Sequence, residues 1–150
     1  MSKLLKVVYD VAGIRAEYLR VHDEVLGLSA RNLIRVFHRS PADTRADKTR
    51  ELRQLARRLL ASRKDLTELS EDDLSIRRGR EICNALDGYV DALAESVDIL
   101  ATISELRQRP IATDNTHDFD RLNALKVAYD DAVQYRKRLG TRLNKLISSL

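Results

Sequence analysis

The chain has 150 residues, a single cysteine, 33% charged and 43% hydrophobic residues, and a formal net charge of +4. That balance is too apolar for a disordered chain, and no uncharged run exceeds about six residues, against the ~18 that a membrane-spanning helix needs. One cysteine, Cys83, excludes an internal disulfide and a cysteine-based zinc site, and it fits a reducing compartment. Lys6, Asp10 and Arg15 interrupt the opening residues, so they hold no apolar signal-peptide segment. We therefore expect one cytoplasmic domain spanning 1–150, of a size that buries a core without staples.

Twenty-three leucines against two prolines favour helix, and the periodicity identifies the segments. The first runs from about residue 3 to 38, with heptad rows Leu4, Val11, Tyr18, Val25 and Val7, Ile14, Val21, Leu28. A parallel row of Leu5, Ala12, Leu19, Leu26 and Leu33 widens the stripe, as in a helix of a bundle, and offers a face for self-association. Gly13 weakens this helix, and Gly27-Leu28-Ser29 marks a kink or break. Asp43 and Thr44 are expected caps for a second helix, with Leu52, Leu55 and Leu59 inward, that runs to the low sixties. The acidic stretch 65–75 is the expected turn, with Ser70 and Asp73 at capping-box spacing.

A third helix places Ile82, Leu86, Tyr89, Val90, Leu93, Val97, Leu100, Ile103 and Leu106 on its inner face and ends at Pro110. Ile111 to Asn115 reads as loop. The fourth carries Leu122, Tyr129, Leu143, Leu150 and Leu125, Ala132, Leu139, Leu146. Arg136 interrupts the first of these rows, where a long stem would let its guanidinium snorkel to water. The expected fold is all-α: an antiparallel, up-down-up-down bundle of about four helices, three of them long.

Catalytic and metal patterns are absent. His22, His38 and His117 have neither Glu-x-x-His nor i, i+4 spacing. Asp114, Asp118 and Asp120 miss the calcium-loop pattern and read as a helix start favoured by the dipole. The five glycines never cluster into a phosphate-cradling loop. Cys83, beside Ile82 and Leu86, reads as a small buried hydrophobe. Arg31-Asn32 followed by His38 resembles the Arg-(polar)-x-His motif of the HEPN ribonucleases, which are also small helical bundles. That resemblance covers eight residues, and it implies an Arg31/His38 pair acting on RNA phosphate and ribose hydroxyl.

Charge is more informative. Residues 31–64 carry eleven Lys/Arg against Asp43, Asp47 and Glu51; residues 65–76 carry five acids and no cation; residues 81–106 carry six acids and no cation. The last nineteen residues hold Arg136, Lys137, Arg138, Arg142 and Lys145 with no acid. On the second helix Arg50, Arg53, Arg57 and Lys64 fall within about 60°, opposite its leucines. Arg31, Arg35 and Arg39 continue positive charge along the end of the first helix. With no aromatic residue interleaved, these seven residues suit phosphate rather than base contact.

The sequence thus reads as a non-catalytic, cofactor-free helical subunit of a larger assembly. Its basic side would lie on nucleic-acid backbone, RNA or DNA, and its acidic side on other protein subunits. In size and charge layout it is similar to the small helical subunits of CRISPR effector complexes. Two alternatives stand beside this: a protein-binding adaptor or chaperone, and a HEPN-like ribonuclease.

Overall fold

The computed structural model describes residues 2–26, 41–108 and 116–150. Within them lie four α-helices: α1 (Lys3–Leu26), α2 (Pro41–Thr67), α3 (Gly79–Gln108) and α4 (Thr116–Ser148), and no strand. The first helix is described to Leu26, so its expected continuation to residue 38 lies outside the described residues.

Ser2 caps α1, its Oγ accepting from the Leu5 amide at 3.1 Å. Leu4, Val7, Val11, Ile14, Tyr18 and Val21 are buried, a strict three-four alternation along one seam. The parallel row is less involved: Leu5, Leu19 and Leu26 are half-buried and Ala12 is exposed. The second helix begins at Pro41, ahead of the expected caps Asp43 and Thr44, because proline needs no amide partner in a first turn. It also outlasts its expected end, reaching Thr67, since Leu66 is still buried one turn beyond Ser62. Leu52, Leu55 and Leu59 face the core as expected.

The α2–α3 connection turns on Ser70 and Asp73. The Ser70 amide donates to Asp73 Oδ2 at 2.9 Å and the Asp73 amide to Ser70 Oγ at 3.2 Å. This box closes a single turn, and α3 starts only at Gly79. Arg78 takes a left-handed φ of 58°, and the chain then doubles back so tightly that a β-carbon on Gly79 would sit 2.3 Å from the Leu74 carbonyl oxygen.

α3 is the centre of the bundle, packed extensively on α2 and α4 and, less so, on α1, which lies chiefly on α2. Contacts fix the directions. Arg58 meets Glu17 and Arg20 meets Glu51 between α1 and α2, while Arg63 meets Asp87 and Arg53 meets Glu105 between α2 and α3. Gly140 of α4 lies against the Tyr89 ring of α3, and Tyr129 and Arg136 of α4 reach Tyr18 of α1. Each sequential pair runs antiparallel, giving the up-down-up-down bundle the sequence predicted.

Two glycines test this account. Gly79→Ala must displace backbone and is expected to cost about 1–3 kcal/mol. Gly13 has open space where a β-carbon would go, so Gly13→Ala should stabilise α1 by roughly 0.5–1 kcal/mol. Chemical denaturation of both variants beside the wild type reads the two opposite signs.

Candidate nucleic-acid interface

The cations of α1 and α2 divide by position. Those on the α2 flanks are held by neighbouring helices. Toward α1, Arg58 meets Glu17 at 2.8 Å, and Lys48 and Arg20 share Glu24 and Glu51. Toward α3, Arg63 meets Asp87 at 3.1 Å and Asp91 at 2.9 Å, and Arg53 meets Glu105 at 3.4 Å and Asp98 at 3.8 Å. Four of the six acids of residues 81–106, Asp87, Asp91, Asp98 and Glu105, are therefore already paired with α2. Such exposed pairs contribute roughly 0–1 kcal/mol each, yet together they favour this antiparallel register over others.

The expected stripe splits accordingly. Arg53 lies at its edge, turned to α3 and only 41% exposed. Arg50 and Lys64 project outward, their side chains 72% and 75% exposed, each with one neighbouring carboxylate near the 4 Å limit: Asp47 at 4.0 Å and Glu68 at 3.9 Å. Arg57, between them and also exposed, has no carboxylate within that limit among the described residues. Arg31, Arg35 and Arg39 lie outside the described residues, as do both members of the Arg31/His38 pair.

The sequence reasoning counted the charge of the last nineteen residues but gave none of it a site. Arg138, Arg142 and Lys145 share the outer face of α4, within about 60° on the helix, and all three are exposed. No cation of α4 enters an ion pair among the described residues. Tyr135 lies beside them, 49% exposed, with the Arg138 guanidinium 5.7 Å from its ring centre. The signal was legible: no acid follows Asp131.

A polar cluster fills the seam between α1 and α4. The Tyr18 and Tyr129 hydroxyls are hydrogen-bonded to each other, and the Tyr129 hydroxyl is 2.5 Å from His22 Nδ1. Arg136 does not snorkel free. It is 3% exposed, its guanidinium lies 5.4 Å from the Tyr18 ring centre, and its buried Nε has no hydrogen-bond partner. The row position that sequence periodicity assigned to it points inward, and the side chain ends under its neighbours before reaching bulk water. Burial pushes both tyrosines above their ordinary range, Tyr129 further through its contact with Tyr18. Burial also lowers His22, helped by the positive charges of Arg136 and Lys137 and opposed by Asp23 and Asp130. At neutral pH the two phenols and the imidazole are uncharged, and Arg136 is the lone buried charge of the cluster.

Other candidate chemistry is sparse. Among the described residues no three His, Cys, Asp or Glu side chains gather to hold a metal ion. Cys83 is half-buried against the core, and desolvation together with the Asp87 carboxylate raises its thiol, which disfavours the nucleophilic thiolate. A shallow groove of about 460 Å³ between α2 and α3 is lined by Leu60, Arg63, Asp91, Glu95 and Asp98 among others. Its lining carries one cation against three acids, of which Asp91 pairs with Arg63 and Asp98 with Arg53. No helix among the described residues is long and apolar enough to cross a membrane. No protein family, curated protein or solved structure matches the chain.

The seam supplies two predictions. His22 has a lowered folded-state value, so the stability it contributes is complete above its unfolded value of about 6.5 and is lost as pH falls below it. Thermal melts between pH 7.5 and 5.5, about one unit either side of that value, should therefore show a larger drop for the wild type than for His22→Gln. Arg136→Met removes an uncompensated buried charge while keeping apolar volume, and is expected to leave stability unchanged or raise it by about 1 kcal/mol or more. Urea unfolding of that variant checks the sign.

Proposed function

We propose that this chain is a non-catalytic helical subunit that contacts nucleic-acid backbone without reading sequence, in the manner of the small helical subunits of CRISPR effector complexes. One observation carries the proposal. On a helix whose flanking cations are engaged by carboxylates of α1 and α3, the outer row Arg50, Arg57 and Lys64 stays directed to solvent.

The row spans fourteen residues, about 21 Å at 1.5 Å per residue, so it lies parallel to a strand and meets several phosphates. Guanidinium groups supply forked donors suited to phosphate oxygens. No aromatic side chain accompanies this row, so the expected contact is electrostatic and blind to base identity. The flanking ion pairs support the reading physically, because they hold α2 in place when its outer cations are brought against a polyanion. The non-catalytic part draws support from two described groups, the Cys83 thiol disfavoured as thiolate and the His22 imidazole already bonded to a buried phenol; the Arg31/His38 pair lies outside the described residues.

Titration of labelled single- and double-stranded oligonucleotides at several salt concentrations tests this. Counterion release gives a slope of log affinity against log salt near −0.9 per phosphate contact on duplex and about −0.7 on single strands. Replacing Arg50, Arg57 and Lys64 together with Gln leaves the α2–α3 and α1–α2 pairs intact. It should flatten the slope by about two to three units and weaken binding equally for unrelated sequences. No binding at ~50 mM salt, or superimposable curves for the two proteins, overturns the proposal.

A further inference from the structure

We infer that the chain bridges two nucleic-acid segments: one along the outer row of α2, and a second, single-stranded, along the outer face of the C-terminal half of α4. This rests on the backbone-contact reading above and extends it to a second site and a second occupant.

Three observations carry the inference. The α4 face holds Arg138, Arg142 and Lys145, all exposed, with no ion pair to any described residue, in a stretch that contains no acid after Asp131. Its positive potential is thus less neutralised than that of α2, where Arg50 and Lys64 each have a carboxylate close by. Second, Tyr135 adjoins those cations, half exposed, with the Arg138 guanidinium 5.7 Å from its ring centre. A planar guanidinium on an aromatic ring is a platform for an unpaired base, whereas bases inside a duplex are not open to stack on it.

The third observation is placement. α2 and α4 do not pack substantially on each other, and both pack on α3. The two cation faces therefore lie on helices that share no seam. Two helices that each pack on α3 but not on each other have axes farther apart than one packing distance of about 8–10 Å. A straight segment along α2 cannot touch α4, so the two faces hold different segments.

The experiment uses two short single-stranded oligonucleotides, one carrying a donor fluorophore and one an acceptor, mixed with the full chain at low salt. Native mass measurement of the complex runs alongside. Energy transfer in an assembly of one chain and two oligonucleotides is expected. Replacing Arg138, Arg142 and Lys145 with Gln should leave one oligonucleotide bound and abolish the transfer, as should the triple change on α2. Tyr135→Ala should weaken the second binding step about tenfold for single strands and leave duplex binding unchanged. Saturation at one oligonucleotide per chain overturns the bridging inference and leaves the α2 reading standing. So does transfer found only in assemblies of two chains, or transfer that survives the α4 variant. A wild type that binds no oligonucleotide overturns both.

Discussion

One apolar helix face organises this molecule. Ile82, Leu86, Tyr89, Val90, Leu93, Val97, Leu100 and Ile103 are all buried along α3, and each contributes roughly 1.5–3 kcal/mol by leaving water. A face of that width cannot be covered by one neighbour, so α2 and α4 take its two sides and α1 completes the cover on the α2 side. The contacts across the seams set each sequential pair antiparallel. The Ser70–Asp73 turn and the Gly79 close approach are the local devices that deliver α2 into α3 at that spacing.

The charge pattern follows from this arrangement. Once α2 and α3 lie antiparallel, Arg53 and Arg63 come against the acidic row Asp87, Asp91, Asp98 and Glu105. On its other flank Arg58 and Lys48 of α2 meet Glu17 and Glu24 of α1, and Glu51 of α2 meets Arg20 of α1. Three helices thereby cancel much of each other's charge at their seams. Among the described residues α4 takes no part in that cancellation, and the outward row of α2 takes only a marginal one. The exposed cations Arg50, Arg57 and Lys64 of α2 and Arg138, Arg142 and Lys145 of α4 thus lie outside the paired seams.

The α1–α4 seam is built differently. Its long-range contacts are made by large polar side chains, with Tyr18, Tyr129, His22 and Arg136 meeting around two hydroxyls. Where leucines would close such a seam by area alone, these groups close it by directional bonds and by a cation over a ring. A buried guanidinium with an unpartnered Nε is costly. The seam is therefore the place where the bundle departs from the most stable packing open to a helical chain.

Much of the architecture was legible in the residues. Of the row positions named by periodicity, those from Leu4 to Val21, Leu52 to Leu59 and Ile82 to Ile103 are buried; Val25, Leu106, Leu122, Leu125, Leu139 and Leu146 are half-buried, and Leu150 is exposed. That holds because helix phase is a local property: 100° per residue is the same whatever packs against it. The phase likewise set Arg50, Arg57 and Lys64 opposite the leucines, and no tertiary contact changed that. What a single helix cannot encode is which neighbour stands at its flank. Arg53 sits within the same arc as Arg57, yet it meets α3 because the antiparallel register brings Glu105 and Asp98 to it. Arg136 occupies a core position of its row and is held under Tyr18, a partner over a hundred residues away in the chain. Arg138, Arg142 and Lys145 have no ion pair among the described residues, while Asp87, Asp91, Asp98 and Glu105 of α3 pair with α2. Periodicity and composition determined the helices and their buried faces; only the packing of one helix against another decided which charges are left to meet a partner, because Coulomb attraction depends on distances that no local pattern specifies.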